Sequence, residues 1–235
     1  MTITKAEAAP GVWQIRLSYS NVYVLSEGSG SGFALVDAGT PRDARRLRRA
    51  LAQFGGLERC SALLLTHAHP DHAGCAALLA RDSGAPILAH ESERPFLESK
   101  RLYGSGGLQA AAFKLGSLLW PIRPCRLSRA LSDGEVVQAS AEKWRVVHTP
   151  GHTRGHISFF RERDGVLLSG DALLNVRPWT RREGLTLPLR LFTQDAELAL
   201  DSARKLALLQ PRVLLPGHGG PLLDAAAPLR RFARA

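Results

Sequence analysis

The chain has 235 residues, 45% of them hydrophobic and 22% charged, which is enough apolar material for a sizeable core and too ordinary a charge fraction for disorder. Three cysteines, no glycine period and no sustained heptad exclude a disulfide scaffold, collagen and a coiled coil; the longest near-apolar stretch, Leu108 to Ile122, is broken by Lys114 and too short for a membrane span. The net charge of +10 is almost all arginine and is scattered, which points to compositional bias rather than a nucleic-acid partner. The opening MTITKAEAAP has no apolar segment, so no secretory leader is expected. Cys60, Cys75 and Cys125 lack CxxC spacing and suit a reduced, cytoplasmic compartment, packed as small hydrophobes.

Val12 to Leu17, Asn21 to Ser26 and Phe33 to Val36 read as strands, with a glycine-rich hairpin turn over Gly28 to Gly32. Pro41 to Phe54 has apolar residues at helical spacing, arginines on its other face, and Gly55-Gly56 as terminator. Ala62 to Leu65 is a buried strand, Ala73 to Arg81 a helix, and Pro86 to Ala89 a strand. Residues 91–125 look like inserted helices rather than a domain. Strands resume at Glu135 to Ala139, Lys143 to His148, His156 to Arg161 and Val166 to Ser169. A Pro- and Arg-rich loop, Asn175 to Thr193, precedes a helix capped by Asp195 and running to Leu209. Arg212 to Leu215 is the last strand, and Ala225 to Ala233 closes the chain as a helix. No low-complexity linker divides the two halves, so a single domain over 1–235 is expected.

Four apolar strands run out into tight polar turns. Leu63-Leu64-Leu65-Thr66 leads to His67-Ala68-His69-Pro70-Asp71-His72; Val146-Val147-His148-Thr149-Pro150-Gly151 leads to His152; Val166-Leu167-Leu168-Ser169-Gly170 leads to Asp171; and Val213-Leu214-Leu215-Pro216-Gly217 leads to His218. Sites are built on such strand-end loops. Imidazole and carboxylate together suit zinc and similar transition metals. Singly, each residue has a bland reading: a loop histidine for His152 or His218, a helix cap for Asp71, a turn former for Asp171. Five of the eight histidines and two aspartates in the order HxHxDH, H, D, H are another matter.

That ordered pattern resembles the metallo-β-lactamase superfamily, from Asn21-Val22-Tyr23 and Val36-Asp37-Ala38-Gly39 through the Pro-Gly-His-Gly-Gly ending at Gly220. The resemblance implies an α+β fold, an αββα sandwich of two mixed sheets flanked by helices, with the helical insertion at about 91–125. It implies that His67, His69 and His152 bind one metal, that Asp71, His72 and His218 bind a second, and that Asp171 bridges them. Two Zn2+ ions are the implied cofactor, with Mn2+ or Fe2+ as substitutes. Asp37 and His156 are implied to support the ligands from behind. The chemistry implied is hydrolysis by a bridging hydroxide, with Asp71 as the catalytic proton shuttle.

Within the superfamily, Asp171 stands where thiol-ligated β-lactamases have Cys and where another β-lactamase class lacks the bridging carboxylate, which argues against a true β-lactamase. Glyoxalase II enzymes carry a long C-terminal helical domain, and only 17 residues follow His218. Lactonases that open N-acyl homoserine lactones often have Tyr where this chain has Leu174. A small ester, thioester or lactone is therefore the expected substrate. Tyr103, Phe113, Leu118, Leu119 and Trp120 offer apolar surface for a cap, and Arg177, Arg181 and Arg182 could grip an anionic substrate. The alternatives are a mononuclear-iron oxidoreductase similar to persulfide dioxygenases and a phosphodiesterase or nuclease. A homodimer is compatible with the sequence.

Overall fold

A computed structural model describes residues 4–26, 32–99, 101–104, 106–177, 180 and 182–234. One sheet places β1 (Thr4–Ala9), β2 (Val12–Arg16), β3 (Asn21–Ser26), β4 (Phe33–Val36), β5 (Cys60–Leu64), β6 (Ile87–His90) and β7 (Arg129–Leu131) side by side in chain order. β1 to β4 pair antiparallel, and β4 to β7 pair parallel. The other sheet places β8 (Val136–Ala139), β9 (Glu142–His148), β10 (Ile157–Arg161), β11 (Val166–Gly170), β12 (Val213–Pro216) and β13 (Leu222–Leu223) in sequence, antiparallel except for β11 beside β12. The helices are α1 (Ala44–Leu51), α2 (Pro70–Ala73), α3 (Ala76–Ser83), α4 (Arg94–Glu98), α5 (Gly107–Leu119), α6 (Ala196–Leu208) and α7 (Ala226–Arg234).

The layering follows from strand periodicity. Successive side chains on a strand point to opposite faces, and most strands here are apolar on both. Val22, Val24, Leu35, Leu63 and Leu65 pack outward with Leu47 and Leu51 of α1 and Leu79 of α3. Their neighbours Tyr23, Leu25, Val36 and Leu64 point inward, against Trp144, Val146, Phe159 and Leu168 of the other sheet. Val147, Phe160, Leu167 and Leu214 face out the other way, under Leu206 of α6 and Leu229 of α7. Three cores stacked around two sheets give helix, sheet, sheet, helix, the αββα sandwich. Double-sided burial also pins register, because a one-residue slip would exchange the two apolar faces.

Several elements differ from the sequence reading. The helix expected over Ala73 to Arg81 is two: α2 stops at Ala73 and α3 starts at Ala76. The His72 carbonyl accepts from Ala38 N at 2.6 Å instead of continuing the helix. The helix expected over Pro41 to Phe54 is α1 with 3-10 turns at either end, closed by Gly55 at φ +91°. β1, β7 and β13 had no sequence signal; the first two form the edges of one sheet and β13 an edge of the other. The expected glycine-rich turn falls largely outside the described residues, although Ser26 and Phe33 beside it are paired. Asp195 caps α6 as expected, its Oδ1 accepting from Leu198 N at 3.0 Å. All three cysteines are free; Cys60 and Cys75 are buried and Cys125 partly so. Among the described residues no helix is long and apolar enough to cross a membrane.

β4 and β5 run parallel, and so do β11 and β12; β9, two antiparallel steps from β11, points the same way. The turns that follow these five strands carry Asp37, the HxHxDH segment, His152, Asp171 and His218.

Candidate metal centre

All seven residues expected as ligands meet between the strand ends. Three groups have potential ligand atoms within 4.8 Å of one another: His67, His69 and His152; His67, His72 and Asp171; and Asp71, His72 and His218. Asp171 lies between the groups. Its Oδ1 is 3.4 Å from His72 Nε2, and its Oδ2 is 3.1 Å from His218 Nε2 and 3.6 Å from His152 Nε2. Asp71 Oδ2 lies 3.4 Å from His218 Nε2 and 3.7 Å from His72 Nε2.

Hydrogen-bond chemistry assigns the tautomers. A carboxylate accepts, so His72 Nδ1 donates to Asp37 Oδ2 at 2.8 Å. Thr66 spends its one hydroxyl proton on Asp37, and its oxygen therefore accepts from His67 Nδ1 at 3.0 Å. Thr193 Oγ1 donates to the Leu189 carbonyl, which leaves it to accept from His152 Nδ1 at 3.4 Å. His218 Nδ1 donates to the Tyr19 carbonyl at 2.6 Å. In all four rings Nδ1 carries a proton and Nε2 is the nitrogen turned inward.

His152 Nε2 accepts from His69 Nδ1 at 2.9 Å, which in turn leaves His69 Nε2 as that ring's bare acceptor. His72 Nε2 and His218 Nε2 face each other at 3.3 Å beside the Asp171 carboxylate, so two like groups crowd a point that only shared positive charge, a proton or a cation, can satisfy. His67 Nε2, His69 Nε2 and Asp171 Oδ1 are buried without any hydrogen-bond partner. Orphaned buried acceptors are costly, and cations placed among them would satisfy them. This donor set of neutral imidazoles and carboxylates fits divalent transition metals.

The electrostatics divide the site. Burial, reinforced by neighbouring imidazoles, pushes His67 and His69 well below the ordinary histidine value. Burial also takes His152 down to about 4. This half keeps its imidazoles neutral, as metal ligation requires. Burial opposes the charged form of His72 as well, but the carboxylates of Asp171, Asp71 and Asp37 outweigh it and push the group up to about 10. His218 is raised for a similar reason, burial being overcome chiefly by Asp171. Burial would raise Asp171, yet His218, His72 and His152 hold it well below the carboxylate range. The second half attracts positive charge.

The support is built into the backbone. Asp37 adopts the left-handed region at φ +64°, uncommon outside glycine, and its Oδ1 accepts from Thr66 N at 2.8 Å. His156, buried completely, accepts the Asp171 backbone N–H at Nε2 (2.9 Å) while its Nδ1 meets Thr149 Oγ1. A Cβ on Gly217 would collide with Asp171 Oδ1 and come within 2.8 Å of His72 Cε1, so the backbone there needs glycine.

One supporting residue had no sequence signal. Glu93 is wholly buried in the turn before α4. Its Oε2 accepts from Ala68 N, between His67 and His69, at 2.9 Å and from the Tyr103 hydroxyl. Its Oε1 accepts from Thr153 Oγ1 at 2.7 Å and Gly155 N at 3.0 Å, just after His152. Burial raises this carboxyl above its usual value against the pull of those four donors. Glu93 thus ties the first histidine turn to the His152 turn. Nothing in the spacing of Glu91-Ser92-Glu93 distinguishes it from a solvated acidic turn.

A cavity of about 350 Å³ opens onto the site. His69, Asp71, His152, Asp171 and His218 line its floor, and Phe113, Trp120, Leu174, Val176, Leu189 and Phe192 line its walls. Of the expected cap residues, Phe113 and Trp120 do line it. Tyr103 is buried against Glu93 and Phe96, and Leu118 and Leu119 face solvent. Arg177 and Arg182 are exposed and lie outside the lining; Arg181 falls outside the described residues. The remaining histidines, His90 and His148, stack on each other with ring centroids 4.3 Å apart, away from this cavity.

Comparison with known proteins agrees with this geometry. Residues 15–218 match the family model described as the metallo-beta-lactamase superfamily. The probable metallo-hydrolase YflN of Bacillus subtilis is 34% identical over 230 residues, covering 92% of this chain and 86% of the relative. The atrochrysone carboxyl ACP thioesterase of Aspergillus fumigatus is 28% identical over 208 residues, covering 88% of this chain and 52% of that enzyme. Among solved structures, the metallo-beta-lactamase family protein TTHA1429 of Thermus thermophilus superposes with a TM-score of 0.71 at 29% identity, over 96% of this chain and 79% of that one. With an αββα sandwich, a strand-end cluster of histidines and aspartates, and a family match across nearly its whole length, the chain belongs to the metallo-beta-lactamase superfamily and is a metallo-hydrolase.

Proposed function

We propose that the protein is a one-domain hydrolase that holds two divalent ions, zinc by its donor chemistry, and cleaves a small ester, thioester or lactone. The observation that carries this reading is the convergence of seven histidine and aspartate side chains in three ligand-spaced groups, with His67 Nε2, His69 Nε2 and Asp171 Oδ1 buried there without a partner. His67, His69 and His152 would hold one ion, Asp71, His72 and His218 the other, and Asp171 would share itself between them. When bound, the ions supply Lewis acidity and a water activated near neutral pH. Asp71 lines the cavity and remains partly exposed. It is placed to take a proton and return it to the leaving group. Asp37, through Thr66 and directly, holds His67 and His72 in the ligating tautomer.

The relative named a probable metallo-hydrolase supports hydrolysis, and the thioesterase, about half of whose length this chain spans, supports the bond class. A single-iron oxidoreductase would leave the Asp71, His72 and His218 group without a task. A nuclease would need basic groups around the site, and among the described residues no lysine or arginine lines the cavity. The test is elemental mass spectrometry on protein purified without chelators or a polyhistidine tag, followed by an ester, thioester and lactone screen. Two zinc ions per chain with turnover supports the reading; one iron with oxygen consumption, or no metal after reconstitution, overturns it.

A further inference from the structure

The cavity's walls carry more information than its floor. α5 presents Ala112 and Gly116 to it, one turn apart, followed one turn later by Trp120, with Phe113 beside them. Opposite stand Leu189 and Phe192, and the Phe113 and Phe192 rings meet edge to face at 5.8 Å. Gln109 Nε2 ties α5 to this wall by donating to the Thr193 carbonyl at 2.9 Å. A Cβ at Gly116 would have no heavy atom within 4 Å. The two small residues therefore leave an open apolar slot alongside the aromatic ones, leading to the floor where Asp71, His152 and Asp171 converge.

We propose that this slot binds the unbranched apolar acyl chain of the substrate, and that Ala112 and Gly116 set the chain length it accepts. This rests on the ester and thioester reading above and names its substrate class: an uncharged acyl group of medium length rather than an anion. An acyl chain laid along α5 places its carbonyl at the floor and its tail between Phe113, Leu189 and Phe192. No basic side chain among the described residues lines the slot, so a carboxylate or phosphate on the tail laid between its apolar walls has no partner there. The volume, about 350 Å³, lies within the range of small-ligand sites.

Gly116→Leu fills the slot. It replaces a poor helix former with a good one at a position where the side chain meets open space, so the variant is expected to fold. Metal-loaded wild type and variant are compared on p-nitrophenyl acetate, hexanoate and octanoate. Each methylene buried is worth roughly threefold to fourfold, so wild-type kcat/KM on octanoate should exceed that on acetate by at least about tenfold. Gly116→Leu should lower the octanoate-to-acetate ratio by at least about tenfold, whereas Leu115→Gln, on the exposed face of α5, should not change it. A flat wild-type profile, or the same profile in Gly116→Leu, overturns the proposal. Binding of non-hydrolysable 2-decanone and 2-butanone, followed by tryptophan fluorescence, decides it separately from turnover. If no ester or thioester is cleaved, the hydrolase reading fails, yet a preference for 2-decanone that Gly116→Leu abolishes still supports the slot. Equal affinity for the two ketones overturns it.

Discussion

Glu93→Gln tests whether the histidine turns are held from behind. Each carboxylate oxygen of Glu93 accepts from two donors: Ala68 N and the Tyr103 hydroxyl on one, Thr153 Oγ1 and Gly155 N on the other. A glutamine keeps the shape but turns one acceptor into an NH2 group. Whichever way it is placed, one buried backbone N–H, of Ala68 or Gly155, loses its acceptor and faces another donor, while the hydroxyl beside it can turn to accept from the new NH2. An unmet buried donor costs about 1–3 kcal/mol, which is the direct loss. Burial raises the Glu93 carboxyl, so removing its charge relieves a desolvation penalty and offsets part of this. A net loss of about 1–2 kcal/mol remains, equivalent to about 2–8 °C in thermal midpoint for a chain of this size. Because Ala68 and Thr153 flank His67, His69 and His152, metal affinity should also fall, by about 10–100-fold as for other supporting groups. Differential scanning calorimetry and chelator competition read the two effects. A variant that melts with wild type and keeps its metal under the same chelator would refute the account of Glu93 as a tie between the turns.

Asp37→Asn keeps a residue tolerant of left-handed backbone but can donate to His72 Nδ1, driving the ring proton to Nε2. Metal content should fall from two ions toward one, with affinity down about 10–100-fold, as elemental analysis after dialysis will show. Gly217→Ala should cost both metal and turnover while far-UV circular dichroism is retained, because its Cβ strikes Asp171 Oδ1 and crowds His72. In protein stripped by chelator, His72, at about 10, and the raised His218 contribute stability that is full below the ordinary value of 6.5 and lost as pH rises toward 10. His152, at about 4, and the lowered His67 and His69 act in the other direction. Their stability is present above 6.5 and lost as pH falls toward 4. Melting of the stripped protein should therefore peak near neutral pH, and a monotonic profile across that window would contradict the charge pattern described.

What could be read from the sequence was what repeats along one strand and its turn. Leu63-Leu64-Leu65 and Val166-Leu167-Leu168 are apolar without interruption because they serve a core on each face, and the polar residues that follow stand out against them. Glu93 was invisible because its four partners are 10 to 62 residues away along the chain. β1, with the sequence TKAEAA, has neither alternation nor β-branched runs and forms only because β2 offers it an edge. The break between α2 and α3 depends on a hydrogen bond from Ala38, over thirty residues earlier. The arginines after Asp171 suggested an anion grip by proximity in sequence, but the loop turns Leu174 and Val176 to the cavity and Arg177 to solvent.

The ligand turns come from both sheets, β4 and β5 on one side and β9, β11 and β12 on the other. Neither half of the chain can offer a complete set, and His72 and His218 must find each other across 146 residues. Closing so long a loop belongs late in folding. Under the proposed function, metal capture would then be a final step performed on an assembled sandwich, and the ions would act as rivets between its two leaves. Their binding free energy would be added to the stability of the docked state and withheld from either leaf alone. Stripping the ions should therefore loosen the joint between the sheets before it loosens either sheet.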